Sequence, residues 1–441
     1  MTPALRDLSD GERCNWLRLI RSENIGPRTF ATLIARYGDA GAALDALPAL
    51  IARGRAGARG VTIFPADAAA RELDAARRLG VSFLALCEPA YPAPLRAIDA
   101  PPPLIAVKGS LEALRRPMVA IVGSRNASGS GLIFADRLAK GLGDAGYVVV
   151  SGLARGIDGR AHQASLASGT VAVLAGGHDR VYPSEHEALT RRIVENGALV
   201  SEMPLGWEPR ARDFPRRNRL VSGLSLGVIV VEASRRSGSL ITARFANEQG
   251  REVFAVPGSP LDARADGTND LLRQGATLCA SVEDVLGALA PVLGPAREGM
   301  TMAEPRSDAP EPEPLWEEID LFAEGDELGP ALPLRETLSS PVSQPAPPRI
   351  SDGVADIDRV LELIGPTPVL IDDLIRASAL PARHLQAALM ELEIRHQVRR
   401  LDGNRVALNL ERAAAGASSG GSLGGDLPPT DALRLHLRHG E

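Results

Sequence analysis

The feature that most constrains this chain is a regular alternation of short apolar runs with amphipathic stretches between residues 117 and 258. Six runs rich in β-branched residues recur in order: "MVAIVG", "YVVVSG", "TVAVLAGG", "ALVSE", "GVIVVEAS" and "EVFAVPG". Apolar strands that alternate with helices form parallel sheets covered on both faces. The pattern therefore predicts an α/β fold, with a Rossmann-like, doubly wound, mostly parallel sheet over residues 104–292.

The sequence on both sides of this sheet predicts smaller helical domains. In residues 1–90 apolar side chains recur at helical spacing, and the pair Gly26-Pro27 ends one helix and begins the next. This indicates a helix-hairpin-helix or SAM-like domain, whose turn either points backbone amides at a phosphate or serves only in packing. Residues 354–410 predict three helices and a hairpin that turns at Asp402-Gly403, a pattern typical of a winged helix.

Two further segments have compositions that do not support a buried core. Residues 296–350 are rich in Pro, Glu, Asp and Ser, and residues 411–441 are rich in Gly and Ser. These compositions favour a disordered acidic linker and a disordered tail.

Charge, cysteine content and hydropathy narrow the classes of function. The formal net charge of -6 over 441 residues gives no global attraction to nucleic acid or anionic membrane, so any such attraction must be local. The three cysteines lie far apart, which disfavours disulfide frameworks and zinc sites. The N-terminus lacks the apolar core of a secretory signal, and no apolar run approaches the roughly 18 residues of a membrane span. We expect a cytoplasmic protein without membrane association.

A glycine-rich turn follows the first of the six strands. Its residues, Ser124–Gly131, lead into a helix N-terminus, where backbone amides and the helix dipole favour an anion. The turn departs from the dinucleotide motif GxGxxG because Arg125 stands in place of the middle glycine. The second strand ends in Ser151-Gly152 rather than in the acidic residue that holds a ribose. The sequence therefore disfavours NAD, and we expect no cofactor, whereas a guanidinium suits a phosphate directly.

Positive charge is concentrated after the fourth strand. Five arginines fall between residues 210 and 219, around the aromatic Phe214. Because ligands gather at the carboxyl ends of parallel strands, this cluster should lie beside the loop of Gly123, Ser124 and Arg125. After the next strand, hydroxyls and amides form a further anion-binding turn at Ser237, Gly238, Ser239 and Thr242.

Together these features favour binding of a phosphate polymer. An aromatic ring beside a basic groove is typical of proteins that bind single-stranded nucleic acid. The alternative is a solvated face on which the arginines form ion pairs with nearby carboxylates. We favour phosphate binding because the charges fall at the functional edge of the predicted sheet.

Other polar residues at this edge carry weaker signals. Asp158 and His162 lie four residues apart on one helix face, which fits an acid–base pair, two metal ligands, or an aspartate that stabilises the first helical turn. Asp179, Tyr182 and His186 follow the third strand, but the chain has no GxSxG nucleophile elbow. We therefore favour the structural interpretation and expect neither a catalytic residue nor a metal site.

Seven motifs resemble those of the DNA-processing protein A family, also called DprA or Smf. In order, they are "GSRNAS", "SGLARGIDGRAH", "TVAVLAGGHDRVYP", "SEMPLGWEP", "FPRRNRLVSGLS", "VVEASRRSGSLITA" and "REVFAVPGSP". The resemblance covers the whole Rossmann-like domain, and the flanking helical and winged-helix domains are similar to those of that family. One position departs from the family pattern, since His186 stands where "YPxxN" usually has Asn.

The resemblance implies a bacterial cytoplasmic protein, not an enzyme, that binds single-stranded DNA entering by natural transformation. It implies that the protein protects this strand, loads the RecA recombinase on it, and forms a homodimer through the Rossmann-like domain. The residues after Gly267, "LLRQGATL", are the expected dimer face. Carried over by position, Arg125 contacts the DNA backbone, Arg212 and "FPRRNR" line the pocket, and Phe214 either stacks on a base or packs inward. The expected DNA-binding residues are Gly123, Ser124, Arg125, Arg212, Phe214, Arg216, Arg217, Asn218, Arg219, Ser237, Gly238, Ser239 and Thr242.

Two other functions stay open from the sequence alone. Rossmann-like nucleotide phosphoribohydrolases share the fold, but Glu248 lies too far along its helix to match their catalytic glutamate. A purely architectural protein would have its arginines in salt bridges. The winged helix contacts either DNA or a protein, since two glutamates, Glu391 and Glu393, dilute the positive charge of Arg383, His384, Arg395, Arg399 and Arg400.

Overall fold

The computed structural model of the chain describes residues 5–53, 62–293, 353–365, 367–401 and 405–409. Three predicted features lie outside the described residues: the linker at 296–350, the tail at 411–441 and the turn at Asp402-Gly403. None of the helices in the described part of the chain combines the length and the apolar composition that a membrane crossing requires.

The chain begins with helices that surround the predicted break at Gly26-Pro27. They are α1 (Asp10–Arg21), α2 (Pro27–Tyr37), α3 (Ala40–Arg53) and α4 (Ala66–Arg78). A capping box starts α1, because the Ser9 hydroxyl accepts from the Glu12 amide while the Glu12 carboxylate accepts from the Ser9 amide. Helix α2 starts at Pro27, whose missing amide hydrogen falls in the first turn, where backbone amides have no partner within the helix. The predicted helical N-terminal domain is confirmed.

The described strands of the central region form one nine-stranded sheet in the order β1-β2-β6-β5-β4-β3-β7-β8-β9. The strands from β6 to β9 in this order are parallel, whereas β2 is antiparallel to both β6 and β1. Their bounds are β1 (Val81–Ala85), β2 (Leu104–Gly109), β3 (Met118–Val122), β4 (Val148–Ser151), β5 (Thr170–Val173), β6 (Ala198–Ser201), β7 (Gly227–Val230), β8 (Glu252–Ala255) and β9 (Thr277–Leu278).

Helices cover both faces of this sheet, as the apolar strands predict. Their bounds are α5 (Ala93–Arg96), α6 (Gly129–Asp144), α7 (Ile157–Ala164), α8 (Glu187–Asn196), α9 (Asp213–Leu224), α10 (Gly238–Glu248), α11 (Asp266–Arg273) and α12 (Val282–Leu293). On β3, Val119 and Ile121 pack in a core with Leu138 of α6, while Ala120 packs on the other face with Leu220 of α9. The alternation follows from the two-residue period of a strand and confirms the Rossmann-like, doubly wound fold.

The sheet begins earlier in the chain than the sequence predicts. Residues 81–85 fall within the segment predicted to be helical, but they form β1, in which only Ser82 is exposed. A short apolar run of this kind fits a strand that is buried on both faces, and it outweighs the helical character of the residues before it. Phe83 of β1 and Leu104 of β2 are buried in one cluster with Trp16 of α1. The N-terminal helices therefore share a core with this edge of the sheet.

The chain reverses its direction of travel across the sheet at β3. Strands β4, β5 and β6 follow on one side of β3, and β7, β8 and β9 follow on the other. Connections that leave β3 and β7 therefore diverge, which opens a crevice at their carboxyl ends. This crevice is the expected ligand site of the fold.

The C-terminal described residues form the predicted winged helix. Its elements are α13 (Gly353–Leu363), β10 (Val369–Leu370), α14 (Ile371–Ser378), α15 (Ala382–Ile394), β11 (Val398–Leu401) and β12 (Arg405–Leu408). The domain packs against the start of α6, where a Cβ built on Gly129 would lie 3.3 Å from the Leu363 carbonyl oxygen. Arg264 donates to the Glu362 carbonyl at 3.0 Å on the same side. A larger residue at position 129 would therefore require the winged helix to shift by a few tenths of an ångström.

Candidate functional site

A cavity of about 460 Å³ occupies the crevice at the carboxyl ends of β3 and β7, and we name it the sheet-edge cavity. Four segments form its walls: the loop after β3, the turn after β4, the first half of α9 and the start of α10. Its lining residues are Val122, Gly123, Ser124, Arg125, Asn126, Gly152, Ala154, Asp158, Phe214, Pro215, Arg217, Asn218, Val221, Ser234, Ser237, Gly238, Ser239, Ile241 and Thr242.

The structure brings most of the expected DNA-binding residues to this one cavity, although they are spread over 120 residues of sequence. Those that line it are Gly123, Ser124, Arg125, Phe214, Arg217, Asn218, Ser237, Gly238, Ser239 and Thr242. They converge because each follows the carboxyl end of a strand or faces the cavity from α9. Their assignment to DNA binding stays a prediction.

Three of the expected residues do not line the sheet-edge cavity, which corrects the prediction that all of these arginines line one pocket, while their assignment to DNA binding stays a prediction. Arg212 and Arg216 face a second cavity on the other side of α9. Arg219 is buried, where it pairs with Glu202 and donates to the Ala100 carbonyl at 3.1 Å. The cause is helical phase: residues 214, 217, 218 and 221 share one face of α9, whereas 212, 216 and 219 fall on the opposite face.

Arg217 lines the sheet-edge cavity but already has partners. Its guanidinium is buried and donates to the carbonyls of Gly152 and of Val173, the latter at 2.9 Å, while Nε donates to Asn218 Oδ1 at 3.1 Å. Burial lowers the pKa of Arg217 to about 10, and the Asp158 carboxylate opposes that shift. Arg217 therefore braces the turn after β4 and contributes charge to the cavity, rather than reaching out to a phosphate.

Arg125 is the exposed cation of the sheet-edge cavity, and it lies beside an aromatic ring. Its guanidinium carbon is 5.4 Å from the centroid of the Phe214 ring, a cation–π distance. Phe214 is half-buried, so neither a stacked base nor a purely internal role follows from burial alone. The pair places a positive charge and a π-face at the same rim.

The structure adds Tyr182, which is not among the expected DNA-binding residues although the sequence placed it at this edge of the sheet. Its ring meets Phe214 edge-on, with centroids 5.6 Å apart, and it is 55% exposed. Tyr182, Phe214, Arg125 and Arg155 line a small cavity of about 50 Å³ next to the sheet-edge cavity. The available signal was the position of "RVYP" after β5, since the carboxyl ends of neighbouring strands share one edge.

The N-terminus of α6 is not open to an anion, which corrects a second expectation. The Ser128 hydroxyl accepts from the Gly131 amide at 3.0 Å, and the Glu232 carboxylate accepts from the Ser128 amide at 2.9 Å. Burial raises the pKa of Glu232, and its hydrogen bonds with Ser128 oppose that rise. Because a carboxylate of the chain already lies at this helix end, the dipole of α6 is compensated and is not available to an anion in the cavity.

The start of α10 supplies hydroxyl groups to the opposite wall. Ser237 is the N-cap, and its hydroxyl lies 2.7 Å from the hydroxyl of Ser239. The Asn218 amide nitrogen donates to the Gly238 carbonyl at 3.2 Å, which ties α9 to this turn. The first turn of α10 contains no acidic residue, so its dipole favours an anion in the cavity.

Asp158 and His162 have structural roles here. The buried Asp158 carboxylate accepts from the amides of Gly152 at 3.1 Å and Ala154 at 3.4 Å, and burial raises its pKa. His162 Nδ1 lies 2.8 Å from the Thr170 hydroxyl, and burial lowers the pKa of His162 to about 3. Within the described residues, no three His, Cys, Asp or Glu side chains are grouped as metal ligands.

Three of the five basic residues named for the winged helix contact carboxylates, among them His384, which lies 3.1 Å from Asp356. Arg395 pairs with Glu391 at 2.9 Å, and Arg400 pairs with Glu393 at 2.7 Å. The outer face of α15 instead carries two exposed apolar side chains, Met390 and Ile394. Whether the winged helix contacts DNA or a protein stays a prediction.

Fold and site together define a class: a Rossmann-like protein with an arginine- and hydroxyl-lined cavity, flanked by a helix-hairpin-helix domain and a winged helix. Family models match all three parts. They are the DNA recombination-mediator protein A model over residues 82–290, the DprA-like N-terminal HHH domain over 10–75, and the DprA winged helix domain over 344–404. The chain belongs to the DNA-processing protein A (DprA/Smf) family, as its motifs predicted.

Curated relatives agree with this assignment. DNA processing protein DprA of Bacillus subtilis is 44% identical over 222 residues, which are 50% of this chain and 75% of that protein. Protein Smf of Escherichia coli is 40% identical over 289 residues, which are 65% of this chain and 70% of that protein. The X-ray structure of DprA from Streptococcus pneumoniae is 40% identical, with a TM-score of 0.48 over 51% of this chain and 77% of its own.

Proposed function

We propose that this chain binds single-stranded DNA in the sheet-edge cavity, protects it and loads the RecA recombinase on it during natural transformation, in the cytoplasm. Membership of a family of DNA recombination mediators supports a role in handling DNA strands. We also propose that the chain forms a homodimer through the Rossmann-like domain, as the resemblance implies. We propose no catalytic step and no cofactor.

The observation that carries the proposal is the pairing of Arg125 with Phe214 at the cavity rim. A single strand offers alternating phosphates and unpaired bases, and proteins bind it by combining cations with stackable rings. Here the exposed guanidinium suits a phosphate, and the neighbouring ring suits a base. The hydroxyls of Ser237 and Ser239 on the opposite wall suit a second phosphate oxygen.

The test is binding of fluorescent oligo-dT across a salt series, for wild type and for Arg125→Ala. Each phosphate contact contributes about 0.7 to the slope of log affinity against log salt, so the variant should show weaker binding and a slope lower by about that amount. Arg192→Ala is the matched control, because Arg192 is exposed on α8 and lines neither cavity. Equal salt slopes for Arg125→Ala and wild type would refute the phosphate contact.

The dimer is proposed at the edge of the sheet formed by α11 and β9. Within the expected segment, Leu271 is buried, but Leu278 is 50% exposed, so Leu278 is the apolar side chain available to a second copy. Leu278→Glu should shift the protein to the mass of a monomer in light scattering. A variant that keeps the wild-type mass would exclude this face.

A nucleotide phosphoribohydrolase is the alternative function, and the position of Glu248 disfavours it. Glu248 ends α10 and lies 3.5 Å from Arg244, whereas the cavity meets the start of the same helix. At about 1.5 Å per residue, the carboxylate is more than 10 Å along the axis from Ser239. An assay for release of base from nucleoside monophosphates should show none, and hydrolysis in the cavity would overturn the binding-only proposal.

A further inference from the structure

A second cavity, of about 300 Å³, lies between the N-terminal helices and α9, and we name it the hairpin cavity. One wall is the turn between α1 and α2, and the other is the segment from the end of β6 to the first turn of α9. The residues that the argument uses are Arg21, Asn24, Glu202, Trp207, Arg212 and Arg216. This volume reaches the lower end of the range for sites that bind small ligands.

The lining of the hairpin cavity carries more positive than negative charge. Glu202 is its acidic residue and is already paired with Arg219, which lies outside the cavity. Arg21 is paired with Glu72 at 3.0 Å. Arg212 is exposed, and its guanidinium makes no ion pair with any residue of the described chain.

The positive charges of Arg212 and Arg216 repel each other when no anion lies between them. Arg216 has 17% of its side chain exposed and lies 3.9 Å from Asp213 Oδ1. Burial lowers the pKa of Arg216, Asp213 and Glu202 oppose the shift, and the charge of Arg212 adds to the lowering. An anion placed between the two guanidinium groups would relieve this repulsion.

The opposite wall is compatible with an anion as well. Helix α2 starts at this wall, after Gly26, and its first turn contains no acidic residue. The positive end of its dipole therefore adds to the potential of Arg212 and Arg216. Asn24, exposed at the rim, holds a left-handed backbone with a φ of 58°, which asparagine and aspartate tolerate better than most residues.

We propose that the hairpin cavity binds a further phosphate of the same single strand, so that the strand crosses the first turn of α9 between the two cavities. The inference rests on the proposed function of the sheet-edge cavity. The two sites share one wall, since Phe214 and Arg217 face one cavity and Arg212 and Arg216 face the other. A helix with its side chains is about 10–12 Å across, a span that a few nucleotides can cover.

The experiment compares oligo-dT of increasing length, from the shortest that binds, on wild type, Arg212→Ala and Asn24→Asp. Short strands should bind all three proteins alike, through the sheet-edge cavity. For longer strands, the wild-type salt slope should rise, and Arg212→Ala should keep a slope lower by about 0.7. Asn24→Asp adds a negative charge at the rim with the same side-chain shape, so it should weaken only the longer strands.

Asn247→Asp is the matched control for charge, because Asn247 is exposed near the end of α10 and lines neither cavity. It should bind strands of every length like wild type. Equal long-strand slopes for wild type, Arg212→Ala and Asn24→Asp would overturn the inference and leave the sheet-edge cavity intact. If wild type binds no strand at any length, the proposed function itself fails.

Titration with dTMP separates a strand from a free nucleotide. In the proposed arrangement, dTMP binds wild type and Arg212→Ala equally weakly, because the hairpin cavity gains its phosphate by being tethered to the rest of the strand. Loss of dTMP binding in Arg212→Ala, with no change in long-strand slopes, would mean that the cavity takes a free nucleotide, and it would overturn the inference.

Discussion

The arginines around α9 are of two kinds, although they are neighbours in sequence. Arg217 and Arg219 are buried and hold separate parts of the chain together, through backbone carbonyls and Glu202. Arg125 and Arg212 are exposed at the mouths of the two cavities. The difference shows that a basic cluster in a sequence contains two groups of residues. Some hold the site in shape, and others are available to contact a ligand. Burial separates the two kinds, and experiments on stability and binding should separate them too.

The largest effect on the buried side is expected for Arg219→Ala. Removing one partner of a buried ion pair leaves the other charge without compensation, which typically costs about 3–5 kcal/mol. Arg219 is buried and Glu202 is nearly buried. The Arg219 guanidinium is in direct contact with the Glu202 carboxylate. Urea unfolding should therefore show a large drop in the free energy of unfolding.

The double variant Arg219→Ala/Glu202→Gln is the control for that interpretation. The second substitution removes the carboxylate charge that Arg219→Ala leaves unpaired, so part of the lost free energy of unfolding should return. If the double variant is no more stable than Arg219→Ala alone, lost packing rather than an unpaired carboxylate explains the effect.

The largest effect on the exposed side, apart from the salt slopes, is expected for Phe214→Ala. Loss of a base–aromatic stack costs about 1–3 kcal/mol of binding free energy. Tyr182→Ala should cost less, because the Tyr182 ring meets Phe214 by its edge and lines only the smaller, neighbouring cavity. Oligo-dT titrations measure both. Unchanged affinity for Phe214→Ala would mean that its ring only packs against Tyr182.

A third expected effect concerns pH. Acid should lower the free energy of unfolding through the buried His162, whereas the charge of the exposed Arg125 should not change. Burial lowers the pKa of His162 from 6.5 to about 3. Between these values the unfolded chain binds more protons, so the free energy of unfolding should fall as pH falls, by up to about 1.4 kcal/mol per pH unit. The stabilisation is complete above pH 6.5 and is lost as pH falls toward 3.

Urea unfolding over this pH range, in wild type and His162→Gln, measures the contribution. The variant should show a shallower dependence on pH. Arg125 keeps its charge throughout, because a guanidinium does not titrate in this range. A variant with the same pH dependence as wild type would assign the acid sensitivity to other groups.

The smallest effect is expected for Arg210→Ala. Arg210 belongs to the same sequence cluster, but it is exposed, with its guanidinium 5.0 Å from the centroid of the Trp207 ring. An exposed cation–π contact contributes about 0.5–1 kcal/mol to stability. The salt slope for short strands should not change. A lower slope would move Arg210 from the supporting residues to the ligand contacts.

The sequence predicted the site well where strand order alone decides position. Arg125 and Ser237 are 112 residues apart, yet both follow strands whose carboxyl ends meet at one edge, so their meeting was predictable. The phase of α9 was not, because the run "FPRRNR" does not show where its helix begins. Without that start, Arg216 and Arg217 cannot be assigned to opposite faces.

Contacts between distant parts of the chain account for the other differences. Glu232 reaches Ser128 at the start of α6 across 104 residues, and no local pattern indicates that this helix end is already compensated. Arg219 finds Glu202 because α9 packs beside the end of β6, which depends on tertiary packing rather than on periodicity. Strand β1 was missed because its apolar run is short and follows a helix.

The sheet ends in β9, which has only two residues, Thr277 and Leu278. An edge this short offers few backbone groups for a foreign strand to pair with, and so it protects the protein from growing into an extended sheet. At the other end of the sheet, β1 shares a core with the N-terminal helices. If two copies meet at β9 as proposed, they would therefore join by side chains such as Leu278 rather than by pairing of backbone strands.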